Sequence, residues 1–236
     1  MNKKVKIIIS IIIIILVVIL SIGEKQKEQN IETSVSTISS KKMEWGIKRN
    51  NNHEQPDVGK SNKKILESNN GICLGNSEKK YIYLTFDEGY EAGYTPKILE
   101  LLKNNDVKAT FFITAHFVNT QPELVKQIID KFPEVKTVVK NINMKNTNVI
   151  MGKENINIVG NHTVNHKSMP TLSEEEIKKE VMELHTVIYQ KFGYDMKYIR
   201  PPKGEFSEKS IISTNNLGYK TVMWSFAYED WNEDKQ

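Results

Sequence analysis

The sequence predicts an α/β fold in which parallel strands alternate with helices. From residue 81 onward, short runs rich in β-branched and aromatic residues alternate with segments of helical periodicity, and the loops between them are short. Such alternation implies parallel strands joined by right-handed crossovers. A second observation is that polar side chains follow several of these runs, which would gather them at one end of the sheet.

The first strand–helix unit is predicted at residues 81–86, followed by a helix from about Thr95. Pro96 suits the first turn of that helix because the missing N–H of proline has no helical partner there. A second unit is predicted with a strand at 109–114 and a helix at 120–130. The remaining elements are expected as strands at 156–159, 196–199 and 219–225 and helices at 173–193 and 207–216.

Two of the helix starts carry a capping-box pattern, in which a hydroxyl residue precedes an acid by three positions. Thr120 with Glu123 has this spacing, and so does Ser173 with Glu176. Gly193 is suited to end the helix that begins at Ser173, because glycine adopts the left-handed conformation without strain. These signals predict where the two helices begin and where the longer one ends.

The N-terminal region differs in composition from the rest of the chain. An almost unbroken run of Ile, Leu and Val at 7–22 follows Lys3, Lys4 and Lys6 and precedes a polar stretch. We interpret residues 1–23 as a single-pass membrane anchor that leaves the rest of the chain outside the cell membrane. A signal peptide is the alternative, and its cleavage would release a secreted protein.

The remaining chain is divided into a tether and one domain. Residues 24–42 have few bulky apolar side chains and are predicted to be a flexible tether. Residues 43–236 are predicted to form the folded domain. An Asn- and Lys-rich stretch at about 131–156 interrupts the alternation and is interpreted as an insertion.

Composition excludes several classes of function. The net charge of +4 comes partly from the N-terminal lysines, and no basic stripe interleaved with aromatic residues indicates nucleic-acid binding. The single cysteine, Cys73, excludes an internal disulfide framework and a zinc site with several cysteines. A metal ion would therefore be held by histidine and carboxylate side chains.

Two adjacent acids, Asp87 and Glu88, end the first predicted strand. Acidic residues are disfavoured in buried strands, and an unpaired carboxylate without water is costly, so their position indicates a functional site. His162 and His166 follow a later strand, and their neutral imidazoles together with an acid from the first loop could hold a metal ion with open positions for water. Arg200, in RPPKG, can orient a carboxylate.

Four ordered motifs resemble those of the polysaccharide deacetylases of carbohydrate esterase family 4. They are TFDEGY at 85–90, HTVNH at 162–166, RPPKG at 200–204 and DW at 230–231. The flanking sequences MEWGIKRNNNHEQP, GYEAGYTPKILELL and WSFAYEDW are similar to those of bacterial muramic-acid de-N-acetylases, which prepare the δ-lactam of spore-cortex peptidoglycan. The resemblance implies a distorted (β/α) barrel.

The same resemblance implies hydrolysis of an N-acetyl group on a cell-wall sugar, with a peptidoglycan glycan strand as the partner. Asp87 matches the general base and Arg200 the residue that orients it. Asp230 matches the acid that tunes the catalytic histidine. The loop amide near Lys203 would help to stabilise the oxyanion, and Trp231 is placed on the substrate side of the site.

His162 and His166 match two metal ligands of the family, and Glu88 stands where the family usually has an aspartate ligand. The resemblance therefore implies a divalent metal, with zinc expected and its requirement open because of the longer glutamate. The sequence ends at Gln236, before the L-x-H motif that supplies the general acid, so we expect a C-terminally incomplete barrel. The alternatives are a catalytically impaired carbohydrate-binding or vestigial protein and a chitooligosaccharide deacetylase.

Overall fold

Strands and helices alternate along most of the chain. The computed structural model of the protein describes residues 38–52, 54–130, 148–149 and 157–227. Within these ranges the strands are Met43–Glu44 (β1), Tyr81–Ile82 (β2), Leu84–Glu88 (β3), Ala109–Ile113 (β4), Asn148–Val149 (β5), Ile158–Asn161 (β6), Tyr198–Ile199 (β7), Glu205–Phe206 (β8) and Lys220–Thr221 (β9). The α-helices are Lys60–Ser68 (α1), Thr95–Asn104 (α2), Ala115–Thr120 (α3), Pro122–Ile129 (α4), Glu174–Phe192 (α5) and Glu208–Asn216 (α6).

A five-stranded parallel sheet with the order β3-β4-β6-β7-β9 forms the centre of the domain. All four ladders are parallel, which confirms the α/β prediction. Because the strands are parallel, their carboxyl ends meet at one edge, where Asp87, Asn161 and Ile199 lie at or near the strand ends. The described strands form an open sheet, so closure into a barrel stays a prediction.

The helix boundaries follow local capping signals in most places. Ser173 and Glu176 form the predicted capping box, and α5 ends at Gly193 in the left-handed conformation. Pro96 lies in the first turn of α2, as expected. The capping box predicted for Thr120 and Glu123 is wrong, because Thr120 ends α3 and its hydroxyl donates to a carbonyl within that same helix.

Strand β4 is buried on both faces. Phe111 and Ile113 belong to the larger core, and Phe112, which is also fully buried, lies under the guanidinium of Arg200. The larger core contains side chains from α2, α3, α4 and α5. Gly160, on the neighbouring strand, lies against the ring of Phe112, where no larger residue fits.

The segment that precedes the sheet packs on the domain through a second apolar cluster. Trp45 contributes to this cluster and its indole donates to the backbone carbonyl of Trp224. β1 pairs antiparallel with β8. The other members are Val58, Leu66, Cys73, Phe206, Ile211 and Met223. The N-terminal part of the domain thus packs against β8, α6 and the residues that follow β9.

Several sequence predictions lie outside the described residues. These are the membrane anchor at 1–23, residues 24–37 of the tether and most of the insertion at 131–156. The described part of that insertion is β5, whose backbone pairs with β2 in parallel. None of the helices in the described ranges has the length and hydropathy that a membrane span requires.

We expect Gly160→Ala to destabilise the domain. A Cβ at this position would lie 2.4 Å from Cδ1 of Phe112, a contact that forces the buried ring to move. Overpacking of this kind costs about 1–3 kcal/mol, which urea unfolding would measure. Gly46→Ala is the matched control, because a Cβ there meets no atom within 4 Å. Equal stability of the two variants would contradict this account of the core.

Candidate active site

Asp87 and Arg200 form an ion pair at the carboxyl edge of the sheet. Nη1 of Arg200 donates to Oδ1 of Asp87 over 2.7 Å. The Arg200 side chain is buried, whereas the Asp87 side chain is 38% exposed and can be reached from solvent. Strands β3 and β7 are far apart in the sequence, but their carboxyl ends meet at one edge of the sheet, and this brings Asp87 and Arg200 into contact.

The guanidinium of Arg200 is held by contacts on several sides. Nε donates to the carbonyl of Val222 over 3.2 Å, and Cζ lies 4.3 Å above the ring of Phe112 and 5.7 Å from that of Trp224. Stacking and directed hydrogen bonds fix the orientation of a planar guanidinium, whereas the ammonium group of a lysine would remain freer to rotate. Sequence reasoning missed Phe112 and Trp224, because an aromatic residue in a strand carries no signal that it will stack on a cation.

His162 is buried and its tautomer follows from its hydrogen bond. Nδ1 lies 2.8 Å from the carbonyl oxygen of Arg200, which can only accept, so Nδ1 carries the proton. Nε2 is then unprotonated in the neutral ring and lies 3.8 Å from Oδ2 of Asp87. Burial lowers the pKa of His162 below its ordinary value although the charge of Asp87 opposes this shift. The ring is therefore neutral at neutral pH.

His166 lies beside His162, with 4.9 Å between the ring centroids and 66° between the ring planes. The residue is exposed as a whole, yet partial desolvation of the ring lowers its pKa, and the charge of Lys203 lowers it further. Its backbone is in the left-handed region, with φ of 53°. The structure thus brings the two predicted histidines together at the Asp87–Arg200 pair.

Glu88 does not join the histidines as the sequence predicted. Successive side chains of a strand point to opposite faces of the sheet, so Glu88 and Asp87 face opposite ways. The Glu88 carboxylate is buried and lies 3.3 and 3.4 Å from the hydroxyl of Thr95, at the start of α2. The expected metal ligand set of Glu88, His162 and His166 is therefore not formed.

Without Glu88, the two histidines supply only part of the ligand set that a divalent metal ion requires. In the ranges that the structure describes, no three His, Cys, Asp or Glu side chains are grouped so that they could hold an ion. Catalytic zinc sites use three protein ligands. His162 and His166 supply two neutral imidazoles, which metal binding requires, and Asp87 is the acid nearest to His162.

The RPPKG loop follows β7 and brings Lys203 to the histidines. Lys203 is exposed and left-handed, with φ of 60°, and Gly204 follows with φ of 67°. A Cβ on Gly204 would lie 2.7 Å from Cη2 of Trp224, so the predicted need for close backbone approach at this glycine is confirmed. The oxyanion role of the Lys203 loop amide stays a prediction. Asp230 and Trp231 lie outside the described residues.

Sequence comparisons show similarity to polysaccharide deacetylases. The profile of a family described as polysaccharide deacetylase matches residues 74–222. The peptidoglycan-N-acetylmuramic acid deacetylase PdaA of Bacillus subtilis is 37% identical over 203 residues, which are 86% of this chain and 68% of that protein. An uncharacterized 30.6 kDa protein of Geobacillus stearothermophilus is 39% identical over 202 residues, 85% of this chain and 67% of that protein.

Solved structures agree with the sequence relatives. PdaA of Bacillus subtilis, described as a family 4 carbohydrate esterase, superposes with a TM-score of 0.70 at 37% identity, covering 84% of this chain and 74% of that chain. A family 4 carbohydrate esterase from Bacillus anthracis gives a TM-score of 0.66 at 33% identity, covering 84% of this chain and 80% of that chain.

We expect zinc binding to depend on the histidines and not on Glu88. His166→Ala removes one of two imidazole ligands and should weaken Zn²⁺ binding by at least about tenfold. Glu88→Gln should leave the affinity within about twofold, since its carboxylate lies at Thr95. Isothermal titration calorimetry of the metal-free protein would measure both. Comparable losses in the two variants would restore Glu88 to the ligand set.

We expect the domain to lose stability when the pH falls through 6.5 in the presence of a chelator. The folded-state pKa of His162 lies below the ordinary value of 6.5, so the unfolded chain takes up the proton first and stability decreases toward acid. Urea unfolding at about pH 7.5 and about pH 5.5 would measure the loss, which should be smaller in His162→Gln. His116→Gln, at an exposed histidine, should keep the wild-type loss. An undiminished loss in His162→Gln would contradict the assignment.

Proposed function

The chain belongs to the polysaccharide deacetylase family, and from this premise we propose that it hydrolyses the N-acetyl group of N-acetylmuramic acid in peptidoglycan. The observation that carries the proposal is the Asp87–Arg200 pair beside the neutral ring of His162. The identity of 37% to a peptidoglycan-N-acetylmuramic acid deacetylase supports the choice of sugar. The flanking sequence motifs support the same choice.

In this proposal Asp87 is the general base. Arg200 holds Oδ1 of the carboxylate, which leaves Oδ2 on the exposed side to accept a proton from the attacking water. The water oxygen forms a bond to the acetyl carbonyl carbon, and the carbonyl oxygen becomes an oxyanion. Collapse of the oxyanion re-forms the carbonyl and breaks the carbon–nitrogen bond, which yields acetate and the free amine, and the departing amine takes up the proton that Asp87 accepted from the water.

The oxyanion needs hydrogen-bond donors held in place before the reaction. We assign this role to a backbone amide near Lys203, in the loop that also places Arg200 at Asp87. The left-handed conformations of Lys203 and Gly204 turn this loop sharply, and the packing of Gly204 against Trp224 holds it. Asp230 and Trp231 keep their proposed roles in tuning the histidine and contacting the glycan.

Deacetylases of this family depend on a metal ion. We propose zinc, and His162 and His166 are the residues that would hold it. A bound divalent ion would supply Lewis-acid polarisation of the water or the acetyl oxygen. The imidazoles contribute to this by staying neutral, which burial of His162 and partial desolvation of His166 both favour.

The cellular site of action follows from the substrate. We propose that residues 1–23 anchor the protein in the cell membrane with the domain outside, where a tether at residues 24–42 would let it reach the glycan strand. Peptidoglycan lies on that side of the membrane. Cleavage of the segment would give a secreted enzyme with the same access.

A second candidate function is carbohydrate binding without efficient turnover. The displacement of Glu88 to Thr95 favours this alternative, because it leaves the described residues without a carboxylate ligand in the usual position. In that case the protein would bind glycan strands and release little acetate. Measurement of binding and acetate release on the same sample separates the two functions.

We expect Asp87→Asn to lower acetate release from muramic-acid-containing glycan by about 10²- to 10⁴-fold, the usual contribution of a general base. Binding of the glycan should persist because the amide keeps the shape of the carboxylate. Asp130→Asn is the matched control, since Asp130 is exposed and paired only with Lys126 among the contacts in the described chain. Undiminished release by Asp87→Asn would assign the base to another group, and glycan binding by the wild type without release would favour the second candidate.

A further inference from the structure

We infer that Glu180, a buried acid in the middle of α5, is a positioning residue that holds the loop carrying His162 and His166 in its working conformation. The inference rests on the proposed function, because it concerns the same histidines. Glu180 itself touches neither Asp87 nor Arg200 in any described hydrogen bond or ion pair. Its action would be exerted through residues 163–167.

Glu180 contacts this loop with both carboxylate oxygens and with its backbone. Oε2 accepts from the amide of Asn165 and Oε1 from the side-chain amide of the same residue, each over 2.8 Å. The ammonium of Lys167 lies 3.2 Å from Oε1. The backbone carbonyl of Glu180 accepts from the amide of Val164 over 3.1 Å. One helical residue thus contacts two positions between the histidines, Val164 and Asn165, and one directly after them, Lys167.

The position of Glu180 on α5 is one that an apolar residue would ordinarily take. Ile177, Val181 and Leu184, at the neighbouring positions of the same helical face, are fully buried core residues, and Glu180 is only 4% exposed. Burial raises the pKa of this carboxyl, but hydrogen bonds from Asn165 and Lys167 outweigh burial and the net pKa is lowered. A buried charge is kept only when it is paired, so the loop contacts account for the acid at this site.

The loop needs such a restraint because its backbone is strained. Thr163 has φ of 68° and His166 has φ of 53°, both in the left-handed region that L-residues disfavour, and β-branched threonine most of all. Such conformations persist only where the surroundings impose them. The Glu180 contacts at Val164 and Asn165 lie between these two residues and hold the chain on the path that connects them.

The other hydrogen bonds of the loop within the described residues lie at its beginning or inside it. The Asn161 side chain accepts from the Thr163 amide over 2.8 Å, and the Thr163 carbonyl accepts from the amide of Ala115 over 3.3 Å. The His166 amide donates to the Thr163 hydroxyl over 3.1 Å, a bond inside the loop itself. In the described structure Glu180 is therefore the link from α5 to the His166 end. Its loss should let His166 move away from His162.

The test exchanges the donor and the acceptor between Glu180 and Asn165. Glu180→Gln removes the negative charge that pairs with Lys167 and leaves one acceptor oxygen in place of two, which weakens the contacts to Asn165 and Lys167. Adding Asn165→Asp to that variant restores an acceptor opposite the new donor and keeps a negative charge near Lys167. The matched control is Glu183→Gln on the same helix, because Glu183 is exposed and pairs with Lys179.

Two readouts are compared on the full-length protein. The first is kcat and KM for acetate release, where Glu180→Gln should lower kcat by about tenfold or more with little change in KM, as expected for loss of a hydrogen bond to a charged group. The second is amide hydrogen exchange of residues 163–167, which should become faster in Glu180→Gln. The double variant should recover most of both properties, and Glu183→Gln should match the wild type in both.

Unchanged exchange and unchanged kcat in a folded Glu180→Gln variant would overturn the inference, and so would a double variant no better than the single one. If Glu180→Gln does not fold, Asn165→Ala removes the side-chain bond to Oε1 of Glu180 from the exposed side of the loop, while the backbone bond of residue 165 and the helix stay unaltered. Faster exchange in that variant supports the inference and unchanged exchange overturns it. The hydrogen-exchange measurement tests the role of Glu180 even if the wild-type protein releases no acetate. Absence of acetate release from the wild type would refute the proposed function instead.

Discussion

The hydrogen bond between the buried guanidinium of Arg200 and the exposed carboxylate of Asp87 is the contact on which the rest of the site depends. A buried cation without a partner is strongly destabilising, so β3 and β7 must bring these two residues together. The same residue fixes His162, whose Nδ1 donates to the Arg200 carbonyl. One loop therefore orients both the Asp87 carboxylate and the tautomer of the imidazole that faces it.

Two aromatic rings pack around Arg200, and each of them lies against a glycine. The guanidinium stacks on Phe112, and the ring of Phe112 occupies space that only Gly160 leaves free. On the other side, Gly204 admits the edge of Trp224, which also lies near the guanidinium. These contacts restrict Arg200 before any substrate arrives, and preorganised charge of this kind is the main source of transition-state stabilisation in hydrolases.

Local signals predicted the elements well where the physical cause is local. The capping box of Ser173, the left-handed Gly193 and the early proline of α2 depend on residues within one turn of each other, and the structure has all three. The sequence predicted a single helix at 120–130 and missed the separate helix α3. The two helices are divided at Gln121 because Pro122 can begin a helix but cannot continue one. The parallel orientation of the strands was predicted from the alternation of elements.

The sequence by itself determined that the chain is a parallel α/β domain and that Asp87, His162, His166 and Arg200 gather at one edge, because each follows a strand and parallel strands end together. Only the tertiary structure decided that Glu88 turns away to Thr95, that Phe112 supports the cation and that Glu180 bonds the histidine loop. Those outcomes depend on which face a side chain takes and on partners far away in the chain. A linear pattern specifies neither.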